Sequence, residues 1–169
     1  MSFPSRRTAA RPSGFTLVEV MVTVAVIGVM ALLMMPIADS SLSTDDLEAS
    51  ARRGVDALRE AQAATMSGRG NQAWGVHFQG DRVVVFGGSA YSAADPDNRV
   101  LALSANARVT SVSLTPGSGC SAETGVGDCE VLFSDATGRP DRVGSVILSS
   151  PSGEVRTVSI NAEGLSDYQ

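Results

Sequence analysis

The sequence predicts an α+β chain, with one long hydrophobic N-terminal helix followed by a head of antiparallel β-sheet. Three observations predict it. Residues 15–38 form an apolar run that carries a single charge, Glu19. Apolar side chains then recur at helical spacing between Leu47 and Thr65. From Gly70 the pattern shifts to short strand-like runs separated by Gly, Pro and Asp clusters.

The 169 residues are 43% hydrophobic and 18% charged, enough for one ordinary domain plus an N-terminal segment. Part of the apolar content belongs to the N-terminal run, so the core of the head is modest. All 13 basic residues are Arg, set against 18 acids for a net charge of −5. That balance argues against a globally basic nucleic-acid binder.

Residues 1–13 contain Arg6, Arg7 and Arg11 and no acid, and 19 uncharged residues separate Glu19 from Asp39. At helical rise that stretch is about 28 Å long, one hydrocarbon core. Arginines before it, and Asp39, Asp45, Asp46 and Glu48 after it, predict a cytoplasmic N-terminus and an exported remainder. A secretory signal would place the apolar segment before its cut. Here the Gly14-Phe15 junction precedes the run, so cutting there retains the anchor. An ionised carboxylate in hydrocarbon is costly and calls for a partner. Cleavage after Gly14 would supply one, the Phe15 amine, about 6 Å of helical rise away. The alternative is that Glu19 is simply protonated in the membrane.

Gly14-Phe15-Thr16-Leu17-Val18-Glu19, leading into an apolar helix, resembles the class III signal of type IV pilins and type II secretion pseudopilins. The resemblance implies cleavage after Gly14 by a prepilin peptidase and N-methylation of Phe15. Glu19 becomes the fifth mature residue and meets the Phe15 amine of a neighbouring subunit. It further implies an inner-membrane pool with a cytoplasmic N-terminus and periplasmic head, then incorporation into a pilus or pseudopilus. The partners are other subunits, the inner-membrane assembly platform and the lipid bilayer. The expected division is a leader at 1–14, a membrane and filament-core helix at 15–38, an amphipathic helix at 39–68 and a β head at 69–169.

Gly28 and Pro36 punctuate the helix. Pro36 has no N–H for the Leu32 carbonyl, and Gly28 costs about 1 kcal/mol relative to Ala. In filaments of the family the helix is often locally unwound between such positions. The expectation is a helix that is continuous or kinked in isolation and able to melt locally on packing. Asp39–Asp46 reads as a turn or loosened segment, with Ser43 or Thr44 as N-cap of a second helical stretch. Leu47, Ala51, Val55, Leu58 and Thr65, with Ala61 and Ala64, form the apolar face of that amphipathic helix, which ends near Ser67-Gly68.

Expected strands are Trp74–Phe78, Arg82–Phe86, Val100–Leu103, Arg108–Leu114, Glu130–Ser134, Gly144–Ser149 and Val155–Ile160, in two antiparallel sheets beside the helix. The pattern resembles the minor subunits typified by GspH and FimT. Phe133–Arg139 and the ending Val155–Gly164 carry that likeness. Cys120 and Cys129, in an exported Gly-rich stretch, read as a disulfide. His77 is the only histidine and reads as structural, facing solvent or a polar seam. Asp95-Pro96-Asp97-Asn98 reads as a turn, too short to furnish a calcium shell alone. No base is spaced against a nucleophile, so neither an enzyme nor a cofactor is expected.

Some FimT-type subunits bind DNA through a C-terminal Gly-Arg-any-Arg pattern. Here Gly164 is followed by Leu-Ser-Asp-Tyr, and only Arg139 and Arg142 lie near each other around a turn. Loss of the leader would leave ten arginines against 18 acids, a field that repels a polyanion. The expectation is therefore a filament subunit, in a type II secretion pseudopilus or a type IV pilus and more often minor than major. DNA uptake is the sharper alternative, and a permanently anchored periplasmic binding module the unrelated one.

Overall fold

The computed structural model describes residues 14–169 except 118, 128, 135 and 165, and for residues 32–43 the backbone alone. Two compact units divide between Ala38 and Asp39. Helix α1 spans Leu17–Met66. The helix assignment runs through Pro36 and through Asp39–Asp46, so the loosened segment expected there is helical. No Gly or Pro occurs between Pro36 and Gly54 to stop it. Thr44 accordingly lies inside α1 rather than at the start of a second helix, and its hydroxyl donates to Glu154 Oε2 at 2.7 Å. The side chains of residues 32–38, Pro36 among them, lie outside the described side chains. Among the described residues, no helix is long and apolar enough to cross a membrane.

In the unit from Asp39 onward, eight strands among the described residues form two four-stranded sheets: β1 (Trp74–Gln79), β2 (Arg82–Gly87), β3 (Arg99–Ala102), β4 (Arg108–Thr115), β5 (Glu130–Phe133), β6 (Val143–Ser149), β7 (Val155–Ile160) and β8 (Ser166–Tyr168). One sheet has the order β3-β2-β1-β5 and the other β4-β6-β7-β8, with every pairing antiparallel. β8 was not expected; its three polar-looking residues pair with β7 from Val158↔Tyr168 to Ile160↔Ser166.

The helical face read from spacing is the face that packs. Leu47, Ala51, Val55, Leu58, Ala61, Ala64 and Thr65 are all buried. All but Thr65 share one apolar core with Val76, Phe78, Val83, Val85, Val131 and Phe133 of the first sheet and Val146, Leu148, Val158 and Ile160 of the second. At Gly54 the helix runs close to β7, with Val158 next to the missing side chain. The helix ends at Met66, and Gly68 takes a left-handed φ of 65° that turns the chain out of it.

The first sheet is covered on both faces. Trp74, Val76 and Phe78 face the helix-bearing core, while Gly75 and His77 face away. Phe86 pairs across from Gly75 and folds its ring over it, so that an added Cβ would meet the ring at 2.6 Å. Val84 and Phe86 are fully buried on this second face. The covering comes from Tyr91, whose ring packs on His77 and edge-on to Phe86, and from the loop closed by the Cys120–Cys129 disulfide.

Candidate assembly site at the N-terminus

α1 begins with a local device built from its own first residues. Thr16 precedes the first helical residue, and its hydroxyl accepts the Glu19 N–H at 3.3 Å. The Thr16 carbonyl accepts the Val20 N–H at 3.2 Å, starting the helical ladder. Thr-x-x-Glu is the capping-box spacing, and it places the Glu19 carboxylate in the first turn, where the helix dipole favours an anion. In the sequence Thr16 reads only as part of the motif and not as a cap, although the Thr-x-x-Glu spacing was the available signal.

Around Glu19 the side chains form an apolar sleeve. Phe15 is 82% exposed, and Leu17, Val18, Val20, Met21, Val22, Val24, Val26, Ile27, Val29 and Met30 are all exposed. Exposed apolar residues on every face of a helix require an apolar environment or partner around it. Gly14 and Gly28 have no heavy atom near a notional Cβ, so neither is small because of packing within the chain. Thr23 returns its hydroxyl to the Val20 carbonyl at 2.9 Å and presents no polar group outward.

The other residues singled out in the sequence lie in the head. Cys120 and Cys129 are bonded, with Cα atoms 4.9 Å apart. Cys129 is fully buried and its carbonyl accepts the Phe78 N–H at 2.9 Å, which ties the loop to β1. His77 is 4% exposed rather than solvent-facing, because two loops close over that face of the sheet. In the Asp95–Asn98 turn, Asp95 Oδ1 accepts the Asp97 N–H at 2.9 Å and Asn98 donates to the Ser92 carbonyl at 2.7 Å. Among the described residues no three metal-ligating side chains gather.

Arg139 and Arg142 flank a segment that closes the edge of β5. Leu132 and Asp141 exchange two hydrogen bonds, at 2.7 and 2.9 Å. Arg142 is half-buried, donating to the Glu130 carbonyl at 3.1 Å with Asp141 3.8 Å away, whereas Arg139 is exposed. The two arginines therefore do not present a joint cationic face.

A cavity of about 400 Å³ beside the helix of the head is lined by Arg52, Val55, Asp56, Arg59, Asp167 and Tyr168. Arg52 is held there by Glu48 and by the Tyr168 hydroxyl, and its hydrogen bond and charge keep the Glu48 carboxyl below the usual carboxylate range. The lining brings no nucleophile and base together.

No curated protein and no solved structure matches the chain significantly. The family model for the prokaryotic N-terminal methylation motif matches residues 10–35, the segment that holds the Gly14-Phe15 junction, the capping box and the exposed apolar sleeve. The chain thus carries the N-terminal signature of type IV pilins and pseudopilins, the mark of a pilin-like structural subunit.

Proposed function

We propose that this protein is a minor structural subunit of a type IV pilus-like or type II secretion pseudopilus filament. It is cut after Gly14, methylated on Phe15, and held in the inner membrane by residues 15–38 before assembly. The observation that carries the reading is the exposed apolar first part of the helix, residues 15–31, whose one carboxylate, Glu19, sits in the first turn within the methylation motif. Such a helix needs an apolar partner all round, which a bilayer and then a bundle of like helices provide in turn.

Glu19 supplies registration. The Phe15 amine of one subunit meets the Glu19 carboxylate of the next, and leaving either group alone in an apolar bundle is costly. The two-sheet head faces outward and contacts neighbouring subunits; the GspH and FimT likeness of its last strands supports a minor role. The protein performs no catalysis of its own: its work is assembly. Arg142 is already engaged by Glu130 and Asp141, which disfavours DNA as the head's ligand.

N-terminal mass spectrometry of the membrane-extracted protein tests the reading. The expected mature chain begins at Phe15 with one methyl group on its amine. An intact leader up to Gly14 overturns it and favours a permanently anchored periplasmic module. Glu19→Ala should be processed normally yet fail to enter sheared filaments, whereas normal incorporation of the variant would remove the registration role.

A further inference from the structure

His77 is the sole histidine, buried in the middle of β1 on the face turned away from the main core. Its ring lies flat against Tyr91, with centroids 3.9 Å apart and planes 11° from parallel. Tyr91 belongs to the segment between β2 and β3, whose backbone is pinned where the Tyr91 N–H donates to Glu130 Oε2 at 3.1 Å. Glu130 stands directly opposite His77 in the β1–β5 pairing, so the two side chains share one face of the sheet.

A second loop closes on the same ring. Gly125, inside the Cys120–Cys129 loop, has φ +67°, and a Cβ there would meet His77 Nε2 at 2.8 Å. The Gly125 backbone thus lies against that end of the imidazole. At the other end, Nδ1 is buried and has no hydrogen-bond partner among the described residues. A neutral imidazole tolerates this arrangement, with the proton on Nε2 and a bare lone pair on Nδ1. An imidazolium does not, because its new Nδ1–H would be a buried donor with no acceptor.

We propose that His77 is a pH-sensitive latch that holds the 88–98 segment and the 121–127 loop onto the first sheet and releases them when Nδ1 is protonated. The proton enters from solvent at Nδ1. The Glu130 carboxylate stands on the same face of the strand pair but is engaged by the Tyr91 amide, so turning toward the imidazolium takes it off that amide. The segment carrying Tyr91 then loses both its anchor and its flat stacking partner.

The elements packed against the ring bring few charges to it. β2 places Val84 opposite His77 and contributes no charge there. β5 contributes Glu130, whose own carbonyl is held by Arg142. The 88–98 segment contributes the Tyr91 ring. The disulfide loop contributes the exposed Glu123, two residues from Gly125. Burial holds the imidazole below its ordinary range, against the opposing pull of the Gly125 backbone. The head therefore stays latched at neutral pH and opens this face on acidification, without disturbing the helix-bearing core.

Hydrogen exchange of the full chain in detergent micelles, at about pH 7.5 and about pH 5, tests the latch. After correction for the intrinsic rate, peptides covering 88–98 and 121–127 should exchange about fivefold faster or more at the lower pH, with β6 and β7 unchanged. His77→Gln should abolish that step, Tyr91→Phe should keep it, and Tyr91→Ala should free the 88–98 segment at both pH values. Because there is one histidine, its ring proton resonances report the titration without a variant, and the midpoint should lie below the ordinary value of about 6.5. Equal corrected protection at the two pH values, a pH step that survives in His77→Gln, or a midpoint at or above the ordinary value overturns the proposal. Should His77→Gln fail to fold, the ring titration and the Tyr91 variants still decide it.

Discussion

The Thr65 hydroxyl accepts the Trp74 N–H at 3.0 Å and donates to the Phe133 carbonyl at 2.9 Å. One buried hydroxyl near the end of α1 thereby ties the helix to the first residue of β1 and the last residue of β5. Thr65→Val keeps the shape and leaves a buried donor and acceptor unpaired. The loss should be about 2–3 kcal/mol, while Thr65→Ser should retain most of the stability. Urea unfolding of the full chain with unchanged slope is the check. A Thr65→Val loss below about 0.5 kcal/mol would show that the bridge does not set the helix docking.

Gly164 is packed under the same helix. Its φ is +81°, and a Cβ there would meet Gln62 Nε2 at 2.4 Å and the Gly138 carbonyl at 2.5 Å. Gln62 reaches across to donate to that carbonyl at 2.9 Å, so the loops after β5 and β7 are gathered on one helical side chain. Gly153 has a similar φ of +87° with nothing near it. Gly153→Ala should cost about 1–2 kcal/mol from backbone strain alone. Gly164→Ala should cost more than that, because the backbone at Gly138 must also move. Equal thermal shifts for the two variants would refute the steric part of the argument.

Strand positions were legible because Val83-Val84-Val85-Phe86 and its neighbours announce β structure through branched and aromatic runs bounded by turns. Both faces of β2 are covered, which the unbroken apolarity of that run fits but which was not read from it. What covers the second face was not legible: Tyr91 and Gly125 come from loops, and nothing in their composition points to His77. β8 was missed because Ser166–Tyr168 owes its place to backbone pairing with β7 and to the Tyr168 hydroxyl between Arg52 and Glu48, not to an apolar pattern. Polar composition at Asp39–Asp46 suggested a loosened chain, but charge alone does not end a helix when no Gly or Pro interrupts it. At the candidate assembly site the motif was read directly, while the Thr16 cap within it was overlooked.

Thr16 and Glu19 make separable contributions. Thr16→Ala removes an N-cap and should lower the stability of the first turn by about 0.5–2 kcal/mol, seen as lost protection of the amides of residues 18–20. It leaves the carboxylate in place, so filament entry should persist. Glu19→Ala should leave the Thr16 cap of its own N–H intact and yet stop assembly. If Thr16→Ala blocks assembly as fully as Glu19→Ala, the defect lies in helix initiation and the pairing account fails.

The disulfide holds a loop rather than the main core. Cys120→Ser/Cys129→Ser should lower stability by about 2–3 kcal/mol, since the short loop is freed in the unfolded chain when the bond is absent. The sheet pairing of β6 with β7, remote from the loop in the topology, should survive. Circular dichroism at low temperature and the thermal midpoint, each with and without reductant, measure this. Loss of β signal at low temperature would mean that the bond is required for the fold.

Stability should fall on mild acidification, and the sign comes from His77. Burial places its folded pKa below the ordinary value of about 6.5, so the folded chain binds fewer protons than the unfolded one as the pH drops. The contribution is complete above about pH 6.5 and is lost as the pH falls through the folded value. Asp81, hydrogen-bonded by Arg82, and Glu48, hydrogen-bonded by Arg52, are also shifted down. As carboxylates they contribute above about pH 4 and lose that contribution only at lower pH, so they leave the window between about 6.5 and 5 to the imidazole. Urea midpoints of the wild type should decline across that window, and those of His77→Gln should stay flat. A wild-type midpoint that rises on acidification would mean that the folded protein favours the imidazolium, with Glu130 rather than burial controlling the ring.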